Sequence, residues 1–247
     1  MANILRAVLA AAVLLFLPFA AVAKDCTRVM NAGGSVVLDF AFCGGTAGWS
    51  GGFADLPPEG LNDPSYDLVF GLAKLPASAG ARGQALRLAG TNRSDDLFMF
   101  VTRRIAGLQP STRYAARFRV SFATNAGPGC IGAGGAPGES VFVKAGAGPR
   151  RPRTVLRDGV LRLDLDIGTQ SRGGKDAAVL GNVAAPGLGC EGDRYAIKTL
   201  SGRERTLFPL TDRNGRLWLI VGFDSGYEGR SDLFIRRIRV ELAPVRR

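Results

Sequence analysis

The 247-residue sequence contains no histidine, and its four cysteines include no C-x-x-C pair. Without an imidazole the Ser-His-Asp and Cys-His arrangements are excluded, and any acid–base step falls to carboxylates, lysine or tyrosine. Zinc has neither an imidazole nor a closely spaced thiolate pair to bind, and no metal or cofactor is expected. Calcium-loop spacing and recognised catalytic motifs are also missing. The glycine-rich segment Ala126 to Ser140 lacks a G-K-[ST] ending and a following helical pattern, which excludes a nucleotide phosphate loop. Beyond the N-terminal stretch no apolar residues recur with helical period, and no repeat of fixed spacing exists.

The first residues, MANILRAVLAAAVLLFLPFAAVA, carry one early cation at Arg6, a short apolar region broken by Pro18, and the small-x-small ending Ala21-Val22-Ala23. This predicts a signal peptide over 1–23, cleaved after Ala23. No membrane span is expected, because an anchor needs about 20 uninterrupted apolar residues. The expected destination is the periplasm or the medium, and 24–247 is read as a single domain. Removing the leader takes away one cation and no acid, so the net charge falls from +11 to +10. Only Lys24, Lys74, Lys144, Lys175 and Lys198 are lysines. The positive charge is therefore arginine, which suits bidentate contacts to carboxylate or phosphate. A GC-rich genome also encodes this Ala-, Gly- and Arg-rich composition.

Cys26, Cys43, Cys130 and Cys190 are even in number, which in an exported chain predicts two disulfides. Of three possible connectivities, Cys26–Cys43 with Cys130–Cys190 is favoured. Cys26 lies ahead of the first strand, and the last two both sit in glycine-rich loops.

Alternation organises the rest. Tyr114, Ala116, Phe118, Val120 and Phe122 share one parity opposite Arg113, Arg117, Arg119 and Ser121, the pattern of a half-buried strand. Leu97 to Val101 and Leu217 to Val221 are apolar on both parities, which predicts central strands covered on both faces. Between the first central run and Tyr114 lies Gly107-Leu108-x-Pro110-x-x-x-Tyr114. The two runs read as a hairpin whose tyrosine hydroxyl ties the second strand to the loop. Further strands are expected at Ser35 to Phe42, Tyr66 to Phe70, Ala85 to Ala89, Val141 to Val143, Tyr195 to Thr199 and Thr206 to Leu210. Asp158-Gly159 and Asn214-Gly215 mark hairpin turns. In the last strand the parity switches between Ile235 and Ile238, so a bulge near Arg236 and Arg237 is predicted. Trp49, in a wrapping loop, is expected to plug one end of the core. Roughly ten short strands with Gly- and Pro-rich connections predict an all-β, two-sheet antiparallel sandwich of jelly-roll type, the last strand beside the first.

The stretches DFAFCGGTAGWSGGFADLP, NRSDDLFMFV, GLQPSTRYAARFRVSFATN, GAPGESVFVKAGA and LWLIVGFDSGYEG together resemble a family of exported bacterial proteins without an assigned activity. More distantly, the opening D-F-x-F…G-W and the bulged closing strand are similar to galactose-binding-like jelly rolls, the fold of many carbohydrate-binding modules. That resemblance implies fold. Such modules often hold calcium between an acid in the first strand and one in the last. Ala41 and Arg236–Arg237 stand at the comparable places, a departure that speaks against the metal.

Three loop clusters hold the candidate binding residues: Asn92, Arg93, Asp95 and Asp96 at a strand entrance, Glu139 before another strand, and Asp224, Tyr227 and Glu228 after the second central strand. If the loops share one end of the sandwich, the carboxylates meet on a cation or flank a glycosidic bond. The alternative is that Asp95 and Asp96 pair with arginines and cap turn amides. Arg150, Arg151, Arg153 and Arg157, and separately Arg236, Arg237, Arg239, Arg246 and Arg247, are basic groups fit for an anionic polymer or for a solvated face. They lack interleaved aromatics apart from Phe234, so no specific nucleic acid is expected as partner. The leading expectation is a non-catalytic module binding a glycan or anionic surface polymer. A polysaccharide hydrolase or lyase using Asp95, Asp96, Glu139, Asp224 or Glu228 is the first alternative, and a structural envelope protein the second.

Overall fold

The computed structural model describes residues 26–202 and 206–245; the expected signal peptide, Arg246 and Arg247 lie outside them. The strands are β1 (Arg28–Ala32), β2 (Ser35–Ala41), β3 (Ser50–Ala54), β4 (Val69–Lys74), β5 (Gln84–Thr91), β6 (Leu97–Ile105), β7 (Tyr114–Thr124) and β8 (Val141–Gly148). They continue with β9 (Thr154–Arg157), β10 (Val160–Leu163), β11 (Ala177–Asn182), β12 (Ala196–Ser201), β13 (Leu217–Ser225) and β14 (Arg230–Pro244). Sheet A is built on β14. One side of this strand pairs with β7, which in turn carries β12. The other side pairs first with β5 and then, past Ile235, with β2. Sheet B runs β11-β8-β13-β6-β3, and all pairings are antiparallel.

The two sheets stack as a sandwich of jelly-roll type. Its core joins Leu38, Phe40, Phe118, Val120, Phe122, Ile238 and Val240 of sheet A to Leu97, Met99, Val101, Val143, Leu219, Val221 and Phe223 of sheet B. Leu97 to Val101 and Leu217 to Val221 are interior strands of sheet B, and β14 returns beside β2. The bulge falls where the parity breaks: Ile235 faces Phe122, Arg237 faces Ser121, and Arg236 is the extra residue. Trp49 is buried edge-on against Phe40, as a plug should be. The cysteines join as Cys26–Cys43 and Cys130–Cys190. Gln109 N–H donates to the Tyr114 hydroxyl at 3.0 Å, the expected tie between loop and strand. Asp158 and Gly159 turn the β9–β10 hairpin with φ of 51° and 80°, the left-handed pair that a tight hairpin needs.

Several expectations change. The runs on either side of Pro110 are not a hairpin: β6 lies in sheet B, paired with β13 and β3, and β7 lies in sheet A. Their apolar sides meet across the core, so the connection is an arch, and alternation alone does not separate an arch from a hairpin. Tyr66 belongs to a 3₁₀ turn, Pro64–Tyr66, and the strand starts at Val69. Thr206 to Leu210 contributes only isolated bridges to Arg113 and Ala116. The β3 strand lies inside the expected wrapping loop. Gly51 and Gly52 leave room there for two rings, since a Cβ would stand 2.1 Å from Phe70 and 2.5 Å from Phe100.

Beyond Leu163 the chain stops pairing but keeps its alternation. Asp164 accepts from Arg153 N–H, and Asp166 accepts from Gly168 and Lys175 N–H. Leu163, Leu165 and Ile167 pack onto Ala54, Phe98, Phe100, Ile220 and Ala177, a second apolar cluster. Residues 164–176 thus form a strap across one end of the outer face of sheet B.

Candidate functional site

The three predicted loops do share one end of the sandwich. Asn92 N–H donates to Gly229 O, Gly226 N–H to Ser140 O, and Glu228 N–H to Ala133 O. Their polar side chains nevertheless do not form one site. Asn92 is buried, and its amide donates to Ser225 O at 2.9 Å while accepting from Ser94 N–H. Arg93, Asp95 and Glu228 are exposed, with Asp95 in a left-handed turn at φ 64°. Glu139 accepts from Gly129 N–H at 2.7 Å, and Tyr227 packs partly into the core. Only Asp96 and Asp224 come together.

They meet beneath the strap. Lys144 and Asp224 occupy diagonal positions on β8 and β13, since Lys144 is paired with Gly222 and Asp224 with Phe142. A lysine spans that separation. Lys144 Nζ lies 2.5 Å from Asp224 Oδ2, with both side chains 1% exposed. The strap completes the pair: Lys144 donates to Ile167 O, and Gln170 N–H donates to Asp224 Oδ2, each at 3.0 Å. Asp96 Oδ1 and Asp224 Oδ1 are buried acceptors without an N–H or hydroxyl donor. A proton held on Asp96 gives the two carboxyls the donor that they lack. Burial, the Asp224 charge and the hydrogen bond to Asp224 push the Asp96 carboxyl up to about 9. Asp55 joins from the end of β3. Its carboxylate accepts from Arg162 at 3.0 Å, and burial followed by the Asp224 charge pushes it up to about 6.

Sequence reasoning missed Asp55 and Lys144. Lys144 had a signal, as the sole charge in the apolar run Val141 to Ala147; Asp55, between Ala54 and Leu56, had none. Asp55 and Asp96 line a cavity of about 390 Å³ shared with Arg150, Arg157 and Arg162. Asp224 is closed off from it. The cluster therefore fastens the strap to the sheet, and a substrate cannot reach both carboxyls of the pair.

A different site lies on the outer face of sheet A. The same parity that buries Phe118, Val120, Ile238 and Val240 turns Arg117, Arg119, Arg237 and Arg239 outward, and the bulge adds Arg236. Cross-strand register sets Arg239 beside Arg119 and Arg237 beside Ser121, with Thr199 of β12 next to Ser121. All five arginines are exposed. Asp39, 3% exposed, receives Arg237 through two bonds of 2.6 Å and stands 3.6 Å from Arg239. Arg119, Arg236, Arg237 and Arg239 with Ser121 and Thr199 line a depression of about 330 Å³. It adjoins another of about 1000 Å³ reaching Arg117, Ser201 and Glu241. Residues of like parity repeat every ~6.7 Å along a strand and neighbouring strands lie ~4.8 Å apart, so these guanidinium groups make an ordered grid. The grid fits a ligand carrying repeated planar anions with hydroxyls between them. Arg237 stands in register with Ala41. At this place Arg237 pairs with Asp39.

No family model matches the chain, and no curated protein matches it in sequence. Among solved structures it is similar to the enzymatically active domain of tailspike protein 4 of bacteriophage CBA120, at 9% identity and a TM-score of 0.35 over 81% of this chain. The match spans 20% of the tailspike chain. It is also similar to TmCBM61, solved with β-1,4-galactotriose, at 12% identity and a TM-score of 0.35, covering 79% of this chain and 89% of that one. A third likeness is to TmCBM27, a carbohydrate-binding module studied for specific mannan recognition, at 14% identity and a TM-score of 0.37, covering 84% and 97%. The likeness is one of β-sandwich architecture.

Proposed function

We propose that residues 24–247 form one exported, non-catalytic domain that binds an acidic glycan or a similar anionic surface polymer on the arginine face of sheet A. The observation that carries this reading is the grouping of Arg117, Arg119, Arg236, Arg237 and Arg239 on one exposed face against two acids, Asp39 and Glu241. Carboxylates are ligands that this face accepts: Asp39 already sits in the Arg237 fork as an internal one. Ser121, Thr199 and Ser201 add hydroxyls suited to sugar oxygens. The leader and two disulfides agree with an oxidising destination outside the cytoplasm. Among the described residues no helix is long and apolar enough to cross a membrane.

The test is binding of polygalacturonate, a carboxylated polysaccharide, beside a neutral glucan over a salt series. The acidic polymer is expected to bind, weakening steeply between about 50 and 500 mM salt, with the neutral one silent. Exposed ionic contacts contribute about 1 kcal/mol each, so Arg119→Gln with Arg239→Gln lowers affinity about 25-fold. Equal binding of both polymers, or no change in the double variant, refutes the reading.

A further inference from the structure

The outer face of sheet B is not covered throughout. The strap and the β9–β10 hairpin bury the end that holds Phe98, Phe100 and Asp224. At the other end Trp218 has the outward parity of β13, with exposed Arg104 opposite it on β6 and Gly148 opposite on β8. A Cβ at Gly148 would touch nothing within 4 Å, so one flank of the indole is open. The exposed Arg151 guanidinium lies over the Trp218 ring, 5.5 Å from its centre. The next cation, Arg150, lines the cavity that it shares with Arg157.

Trp218 is half-buried while the other tryptophan, Trp49, is deep in the core. An amphipathic ring with a flanking guanidinium offers two complementary contacts to a uronic acid: the C–H face of the sugar packs on the indole, and its carboxylate meets Arg151 or Arg104. Aromatic and cation are here interleaved, as they are not among the five grouped arginines of sheet A.

We propose that Trp218, Arg104 and Arg151 form a second binding surface for acidic polysaccharide, and that the chain thereby bridges two polymer strands. The two surfaces lie on the outer faces of stacked sheets, pointing in opposite directions, so one extended polymer cannot lie on both at once. The bridge rests on the reading of the arginine face given above; the second surface does not.

Calorimetry with a short galacturonate oligomer counts the sites, and turbidity with polygalacturonate reports bridging. Wild type is expected to bind two oligomers per chain and to give turbidity that peaks at an intermediate ratio and clears in excess polymer. Arg104→Gln with Arg151→Gln leaves one site and abolishes the turbidity; Arg119→Gln with Arg239→Gln also leaves one. The oligomer quenches tryptophan fluorescence in wild type and in the Arg119/Arg239 variant, and Trp218→Phe removes the quench while Trp49 remains. One site per chain, lost with Arg119 and Arg239 and untouched by Arg104 and Arg151, overturns the second surface and leaves the arginine face standing. A single site that survives loss of Arg119 and Arg239 and carries the quench overturns the bridge through failure of the arginine face. Binding nowhere overturns both.

Discussion

Replacing Asp96 by asparagine tests the buried cluster through its pH dependence. In the folded chain Asp96 keeps its proton up to about 9, whereas an exposed aspartate releases it near 3.8. Between those values the folded state holds a proton that the unfolded state has lost, so stability is highest below the unfolded value and declines as pH rises. A single group of this kind changes stability by at most ~1.4 kcal/mol per pH unit. Lys144 favours the ionised form, and the value of about 9 already includes its opposition. From pH 6.5 to 8.5 wild type should lose about 1–3 kcal/mol. At roughly 2–4 °C per kcal/mol for a chain of this length, Tm falls by about 2–12 °C. The amide introduced by Asp96→Asn supplies the Asp224 carboxylate with an N–H donor at every pH, so the slope should flatten and Tm at pH 8.5 should exceed that of wild type. Asp55, pushed up to about 6, acts with the same sign but has largely titrated below this window. Thermal melts followed by far-UV circular dichroism at constant ionic strength give the comparison. A wild-type Tm that is flat or rises over the window, or an Asp96→Asn slope equal to wild type, refutes the shared-proton account.

Lys144→Met removes the cation that Asp224 pairs with beneath the strap and should cost about 3–5 kcal/mol by urea unfolding; adding Asp224→Leu should recover most of that loss, and a second loss instead would show the pair is not coupled. Both disulfides restrict the unfolded chain, and Cys130–Cys190 closes a 60-residue span against 17 for Cys26–Cys43. Loop-closure entropy then gives about 4 and about 3 kcal/mol. The paired Cys130→Ser, Cys190→Ser variant should therefore show the lower urea midpoint of the two disulfide deletions.

Much of the frame was legible because it is written in alternation and turn chemistry. The parity break after Ile235 placed a bulge near Arg236 and Arg237, since a strand that must bury both halves can change parity only by inserting a residue, and the register singles out Arg236. The cysteines were legible from loop context, and the Tyr114 latch from its proline and glycine. Elements formed against local preference were hidden. Strand β3 is SGGFA, and its glycines exist because Phe70 and Phe100 occupy the volume of their side chains, information that lies 19 and 48 residues away. Strand β11 breaks its register between Val179 and Gly181, and Leu200 packs against Gly181. The loop carboxylates were legible as a group at one end of the sandwich, but their partners were not. Which acid finds a lysine depends on the offset between β8 and β13, and strand register between distant segments leaves no local mark.

The same pairing explains why the arginine face outweighs what net charge suggests. A balance of +11 spread evenly over a sandwich would place a modest field everywhere. The acids are not spread evenly. Asp39, Asp55, Asp67, Asp224 and Asp232 each neutralise a particular cation, and Asp63, Asp164, Asp166 and Asp212 accept turn or strap amides. The excess of cations over acids is therefore arginine, and strand parity then decides where it goes: Arg117 and Arg119 share a face because they are two apart on β7, and Arg239 joins them through register. The bulge brings Arg236 onto the same rim. A GC-rich genome accounts for the number of arginines but not for this placement. Scrambling the positions at constant composition therefore separates the two explanations. Moving Arg119 and Arg239 to exposed sites on β9 keeps the net charge, and if charge alone were responsible, polymer affinity would not change.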